Sequence, residues 1–340
     1  MSEVLRRRIG FELELLAPKG SSRRTLADAL AARCRGSVRS VWHLDSEPTP
    51  VQSLGGRFLH LTQGFEVRRA SRDVLCTLVD DVTISADLDL AVPPASGWHR
   101  LLTDDLRLAW LLERRCDPAA SLDVVLDPVA QLWGETVEVL GDVRRLDARG
   151  ATVALAAPSG GERERPCEIV TPPIDHDHAE ALEELLGPAR ELGFTVPREA
   201  AVHLHLDGKP FRDAATLANV VRLFAHWREP LRQRLGTNPE CRRLKPLPDE
   251  LVAAADGEPS YDELRDAAKR SGLTKFYDIN LTQLFRDDPI RDTLEIRILP
   301  GAITAGEVIA KASMIEALLD RCEQGPRLDR LPRDGEMMRR

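Results

Sequence analysis

Four short stretches of this chain repeat one pattern, a polar residue alternating with an aliphatic one: GFELE at 10–14, EIV at 168–170, HLH at 203–205 and EIR at 295–297. Side chains alternate across a strand with a period of 2, so each stretch reads as a strand with one polar and one apolar face. In RIGFELELL, Ile9, Phe11, Leu13 and Leu15 take the apolar face while Glu12 and Glu14 share the other. Two carboxylates ~7 Å apart on one sheet face repel each other, and burying either without a partner is costly. A divalent cation offsets that cost. One such strand alone reads as a solvated edge. Four of them, at positions as far apart as 12 and 295, read as one polar site assembled from nearly the whole chain. That argues against two independent domains, although length alone suggests about two.

The 340 residues are 43% hydrophobic and 30% charged, the balance of a globular chain with a real core. A formal charge of −8 argues against nucleic acid as a partner. Basic clusters at Arg6–Arg8 and near the C-terminus are terminal or mixed with acids, and read as solvated. No apolar run reaches the ~18 residues of a membrane span, and the start lacks a signal-peptide pattern. The six cysteines are scattered without a C-x-x-C pair and read as reduced. The expected setting is the cytoplasm.

Ser21 or Ser22 caps a helix, RTLADALAARCRG, that ends at Gly36. Strands follow at 38–44, 57–61, 65–69 and 74–79, with Gln63-Gly64 as a hairpin turn between the second and third. A helix is expected from Trp98 to Cys116, where Leu101, Leu102, Leu106, Ala109 and Leu112 fall near helical spacing. VAQLWGE reads as helix, and TVEVLGDVRRL and ATVALAA as strands joined by DARG. In the second half, strands CEIVTPPI, AVHLHLDG, KFYDINLT and TLEIRIL alternate with helices HDHAEALEELLGPARELGF, YDELRDAAKRSG and EVIAKASMIEALLDRCEQG. One long helix is expected through TLANVVRLFAHWREPLRQRLG, followed by TNPECRRLKPLPDE as a candidate mobile flap. The fold class is α+β, with a mainly antiparallel sheet.

Glu168 alternates with Ile169 at a strand end and by itself reads as a surface residue. His203 and His205 share a strand face, and only eight histidines occur in the chain. Two histidines suggest zinc, but no third soft ligand lies nearby; the carboxylates elsewhere point to Mg²⁺ or Mn²⁺. Glu295 and Arg297 repeat the arrangement, a metal-type carboxylate beside a guanidinium whose fork suits phosphate. Lys275 is a weak candidate for a phosphate contact and Asn280 for a substrate contact.

Taken in order, GFELE, EIVTPP at 168–173, HLHLD at 203–207, FYDINL at 276–281 and TLEIRILPG at 293–301 resemble the putative amidoligase family, a branch of the glutamine synthetase and glutamate–cysteine ligase group. The resemblance implies a curved, mostly antiparallel sheet, glutamine synthetase-like, with helices on its outer side. It implies one catalytic domain over 1–325, with 98–165 an elaboration that shapes an acceptor site or a homo-oligomer contact, and a polar tail over 326–340. ATP and Mg²⁺ or Mn²⁺ are the implied cofactors. Glu12, Glu14, Glu168, His203 and Glu295 match metal ligands, and His205 and Arg297 match nucleotide or phosphate contacts, joined by Lys275 as a further catalytic and nucleotide candidate. Asp81 in DDVTI resembles a D-x-S/T element and, with Asn280, is placed on the substrate side without an assigned step. Only Asp175 stands where glutamine synthetases carry a second acid after the one matched by Glu168.

The implied reaction is ATP-dependent amide formation through an acyl phosphate, from a small-molecule or peptide carboxylate and an amine. No P-loop pattern occurs, so the sheet itself would hold the nucleotide. The alternatives are a guanidino-type phosphotransferase on the same fold and an inactive nucleotide- or ligand-binding relative. A zinc hydrolase built on HLH lacks an H-E-x-x-H motif and ranks below both.

Overall fold

The computed structural model describes residues 4–44, 48–51, 56–241, 243–289 and 291–329. In chain order the elements are β1 (Ile9–Leu16), α1 (Arg23–Arg33), β2 (Ser37–Leu44), β3 (Thr49–Val51), β4 (Gly56–Arg68), β5 (Val74–Val79), β6 (His99–Thr103), α2 (Leu106–Arg115), α3 (Asp127–Trp133), β7 (Glu138–Leu140), β8 (Val143–Ala148), β9 (Ala151–Pro158) and β10 (Pro166–Val170). There follow α4 (His178–Glu191), β11 (Ala201–Asp207), α5 (Ala214–His226), α6 (Arg228–Leu235), α7 (Asp249–Ala255), α8 (Tyr261–Arg270), β12 (Ile279–Asn280), β13 (Thr293–Pro300) and α9 (Ala305–Gln324). The fold is mixed α/β with antiparallel strand pairing, and it divides into two compact units. The first unit takes residues up to Glu14, 171–187 and those from Arg198 onward; the second takes 15–170 and 188–197.

In the first unit the strand order is β12–β13–β11–β1. Phe11, Leu204, Ile296 and Ile279 stand directly opposite one another across the four strands, and none is exposed to solvent. This row is the centre of the apolar face. Opposed apolar side chains on a sheet face are the unit by which antiparallel pairing gains stability. Phe11 also meets the His178 ring edge-on at 6.2 Å. Helices α5 and α9 pack on each other, and Asn219 Nδ2 donates to the Cys322 carbonyl at 3.1 Å. Buried Glu316 of α9 accepts from the backbone N–H groups of Arg6 and Arg7, both at 2.8 Å. Packing continues past the last helix, with Leu328 buried. The rest of the expected polar tail, from residue 330, lies outside the described residues.

The expected long helix through residues 216–236 is two helices, α5 and α6, separated at Trp227 (φ −107°, ψ 12°). Pro230 explains the break, since it has no N–H to give to the carbonyl four residues earlier. The connection after α6 is tied down along its described length. Thr237 Oγ1 donates to the Ile298 carbonyl at 2.7 Å, Asn238 Nδ2 to the Arg198 carbonyl at 2.8 Å, and Lys245 N to the Phe276 carbonyl at 3.0 Å. Its residue 242 lies outside the described residues.

The second unit is a large open antiparallel sheet in the order β10–β5–β4–β6–β9–β8–β7, with β2 and β3 also pairing to β4. Two expectations fail here. Residues 57–68 are not a hairpin but part of one strand, β4, that pairs with β2 and β5 on its two sides. Gly64 serves close approach rather than a turn: a Cβ there would lie 3.1 Å from the Leu78 carbonyl and 3.2 Å from Val79 Cγ1. The expected helix at 98–116 is strand β6 followed by α2. Leu101 and Leu102 are both buried, one on each face of a strand paired on both edges, which imitates helical spacing. Asp105 starts α2 by accepting from Arg107 N at 2.7 Å. Trp42, Leu61, Leu101, Leu112, Val129 and Leu146 build the core of this unit, so much of the 98–165 stretch is an integral part of its sheet.

Candidate active site

The polar face of the first unit is set by strand register. Glu12 of β1 stands opposite His203 of β11, His205 stands opposite Glu295 of β13, and Glu295 stands opposite Asn280 of β12. Directly opposed residues share a face, so the alternation of four separate strands delivers all these groups to one place. Between β11 and β13 the register shifts: Val202 opposes Leu299 but Leu204 opposes Ile296, so His203 confronts both Arg297 and Ile298. The bulge lies in a stretch that is buried throughout, from Leu294 to Leu299.

His203 Nδ1 lies 3.1 Å from Glu12 Oε2 and 3.6 Å from Glu295 Oε1, and its Nε2 lies 3.5 Å from Glu14 Oε1. His205 Nε2 lies 3.0 Å from Glu12 Oε1. Glu14 Oε2 accepts from Ala201 N at 2.8 Å, and Glu295 accepts from Asn280 Nδ2 at 2.7 Å and from the Arg297 guanidinium. The Arg297 backbone N–H donates to the Asp278 carbonyl at 3.1 Å, which anchors the bulge to the strand carrying Asn280.

The charges are mutually arranged. Burial pushes the Glu12 carboxyl up, but His205 and His203 outweigh it and hold the group well below the usual carboxylate range. For Glu295, burial also pushes up, and Arg297 and His205 bring the net shift downward against the repulsion of Glu12. Burial pushes the His205 imidazole down, and Glu12 reverses that to a net rise. Burial likewise opposes the Arg297 charge, which Glu295, Glu12 and Glu14 sustain.

Two contacts at this face escaped sequence reasoning. Arg291 Nη1 lies 3.4 Å from Glu12 Oε1, and Thr293 Oγ1 lies 3.3 Å from His205 Nδ1. Thr293 begins TLEIRIL and alternates with Glu295, so the same period-2 rule applied one step further would have found it. Of the remaining candidates, the Lys275 ammonium lies 5.6 Å from the centroid of the Phe276 ring. Asp81, in the second unit, accepts from Thr83 N at 2.8 Å and Thr83 Oγ1 at 2.7 Å, a local turn that accounts for the D-x-T spacing. Glu168, half-buried on β10 of the second unit, stands opposite Val79. Asp175 lies beside Arg8, its carboxylate 3.2 Å from Nε, and is mostly exposed.

Glu12, His205 and Glu295 each offer one ligand atom, and these atoms lie within 4.8 Å of one another. The His205 Nε2 atom is buried yet lacks a hydrogen bond of good geometry, so its lone pair or proton is held beside a carboxylate without being satisfied by it. Two carboxylates and one imidazole so disposed can hold a divalent cation.

An antiparallel sheet carrying a buried carboxylate–imidazole–guanidinium face defines an α/β protein with a charge-handling site. The chain belongs to the family described as putative amidoligase enzyme, whose model matches residues 5–319. No curated protein and no solved structure matches it. Among the described residues, no helix is long and apolar enough to cross a membrane.

Proposed function

We propose that this chain is an ATP-dependent carboxylate–amine ligase. The reading rests on family membership, and the observation that carries it is the group formed by Glu12, His205 and Glu295 with Arg297 against Glu295. In this reading the acceptor carboxylate attacks the γ-phosphate of ATP, the bond to the bridging oxygen breaks, and ADP leaves. An amine then attacks the acyl carbon of the resulting acyl phosphate, loses a proton, and expels inorganic phosphate.

Glu12, His205 and Glu295 would hold a cation, Mg²⁺ or Mn²⁺ by the oxygen-rich donor set, which neutralises the charge of the transferring phosphoryl group. This adds His205 to the ligand set, in which the family resemblance places His203. His203 also spans Glu12 and Glu14 and keeps the two carboxylates from moving apart. Arg297 gives its planar fork to the phosphoryl oxygens, and Asn280 fixes the Glu295 carboxylate by its amide hydrogen bond. The reaction asks the protein mainly for positioning and charge neutralisation, which fixed groups on a sheet supply better than groups on loops.

Incubating the chain with ATP, Mg²⁺ and a panel of carboxylates and amines, and following ADP, phosphate and product mass, tests the reading. The expected product has the mass of carboxylate plus amine less one water, with ADP and phosphate in equal amounts. A stable phosphorylated product without free phosphate would identify a phosphotransferase instead. Absence of ATP turnover across the panel, while ligand binding persists, would identify an inactive relative.

A further inference from the structure

The second unit contains a basic group that the ligase reading does not use. On β6, Arg100 stands opposite Thr62 of β4, which stands opposite His43 of β2, so the three share a face. His60, two residues before Thr62, shares it too. It is the face opposite to Leu61 and Leu101, whose side chains enter the core with those of α2 and α3. His60 and Thr62 are buried and Arg100 is half-buried.

Arg100 is poorly satisfied where it stands. Its Nη1 lies 3.4 Å from His60 Nδ1, a weak contact, and its Nε is buried without a hydrogen-bond partner. Asp80 is the acid whose field reaches both Arg100 and His60, but Arg163 grips its carboxylate, with Nε 3.2 Å from Oδ2 and a second bond from Nη2. Arg163 spends its other donors on the carbonyls of Ile84 and Asp81, both at 2.7 Å. Burial, then the Arg163 charge, bring the Arg100 guanidinium below its ordinary value, against the opposing pull of Asp80. A guanidinium is rarely buried without an anion, because its desolvation is otherwise uncompensated.

We propose that Arg100, with Thr62 and His60 beside it, is the receptor for a small oxyanion, a carboxylate or a phosphate group. The unused Nε–H and one Nη–H of Arg100 form the planar fork that such a group accepts from in pairs. The Thr62 hydroxyl, opposite in register, is placed to donate a third bond. Neutral His60 leaves the positive charge on Arg100 and, once an anion is present, gains a reason to protonate. The inference does not depend on the ligase reading, since it requires neither ATP nor a divalent cation.

Calorimetric titration of the full chain with succinate and, separately, inorganic phosphate tests it, in buffer stripped of divalent cations over a chelating resin and free of other carboxylates. Saturable binding of either anion is expected, weakened about 10- to 100-fold by Arg100→Gln, as befits loss of a charged hydrogen-bonding partner. Binding of succinate alone would assign a carboxylate, of phosphate alone a phosphate group. The imidazole resonances of His60 should titrate at higher pH with the anion bound than without it. If Arg100→Gln does not fold, Arg100→Lys keeps the charge but loses the fork, and Thr62→Val removes only the hydroxyl; both should weaken binding. Failure of both anions to saturate, or equal affinity in the wild-type chain and the folded Arg100 variant, would overturn the proposal.

Discussion

His205 Nε2 lies 3.0 Å from Glu12 Oε1 although the two residues are not ladder partners: Glu12 faces His203, and His205 faces Gly10. The imidazole therefore reaches the carboxylate two residues along the polar face from its own ladder partner. Glu12 thus touches both histidines at once. The difference between the two lies in what else they meet, Glu14 and Glu295 for His203 and Thr293 for His205.

That difference gives the first prediction. His205→Ala should weaken Mn²⁺ binding by about 10- to 100-fold, because it deletes a ligand, whereas His203→Ala should have the smaller effect. Paramagnetic resonance of free Mn²⁺ reads both. A larger loss in His203→Ala would make that residue, and not His205, the stronger ligand.

Arg297→Lys keeps the charge but gives up the bidentate fork. Turnover should fall by one to a few orders of magnitude, roughly the ~2–4 kcal/mol of a transition-state charge contact, with little change in KM for the acceptor carboxylate. Steady-state kinetics decide it. An unchanged turnover with a raised KM would make Arg297 a substrate-binding residue instead.

Much of this site is legible in the sequence because strand periodicity is exact enough to count. Glu12, His203, His205, Glu295 and Asn280 occupy the face that alternation assigns them. What escapes is whatever depends on pairing. The bulge at Arg297 and Ile298 has no mark in EIRIL, which reads as a regular strand. Arg291 lies before TLEIRIL, outside any alternating run, and only folding brings it to Glu12. In sequence β4 looks like two strands because Gln-Gly is a turn signal, while the physical use of Gly64 is set by neighbours in β2 and β5. Leu101 and Leu102 misled for a related reason: in a strand covered on both faces, adjacent leucines are as natural as in a helix.

Asp278 holds a charge cluster under the site. It is 1% exposed, with Arg228 Nε 2.6 Å and Arg232 Nη1 2.9 Å from its two oxygens. Asp278→Asn leaves two guanidinium groups facing each other without the carboxylate. Since both arginines keep some solvent contact, a loss on the order of 2–4 kcal/mol in urea unfolding is expected. A loss below about 0.5 kcal/mol would mean that solvent already compensates the pair.

Stability should depend on pH through His60. Burial, then the Arg100 charge, bring its imidazole from the ordinary 6.5 down to about 4. Between those values the unfolded chain binds the proton and the folded chain does not, so this contribution is complete above about pH 6.5 and is lost as pH falls toward 4. The full span corresponds to up to ~3 kcal/mol. Urea unfolding at pH 7 and pH 5, in buffer free of carboxylates and phosphate, should show a smaller pH dependence for His60→Gln than for the wild-type chain. Equal slopes would place the imidazole in a solvent-like setting.

The most direct test of the ligase account is interception of the activated carboxylate. Hydroxylamine attacks acyl phosphates to give hydroxamates, whatever amine the protein normally uses. With ATP, Mg²⁺ and an accepted carboxylate, the wild-type chain should form hydroxamate in step with ADP, and folded Glu295→Gln should form neither. ADP release in the presence of carboxylate without any hydroxamate would contradict the account.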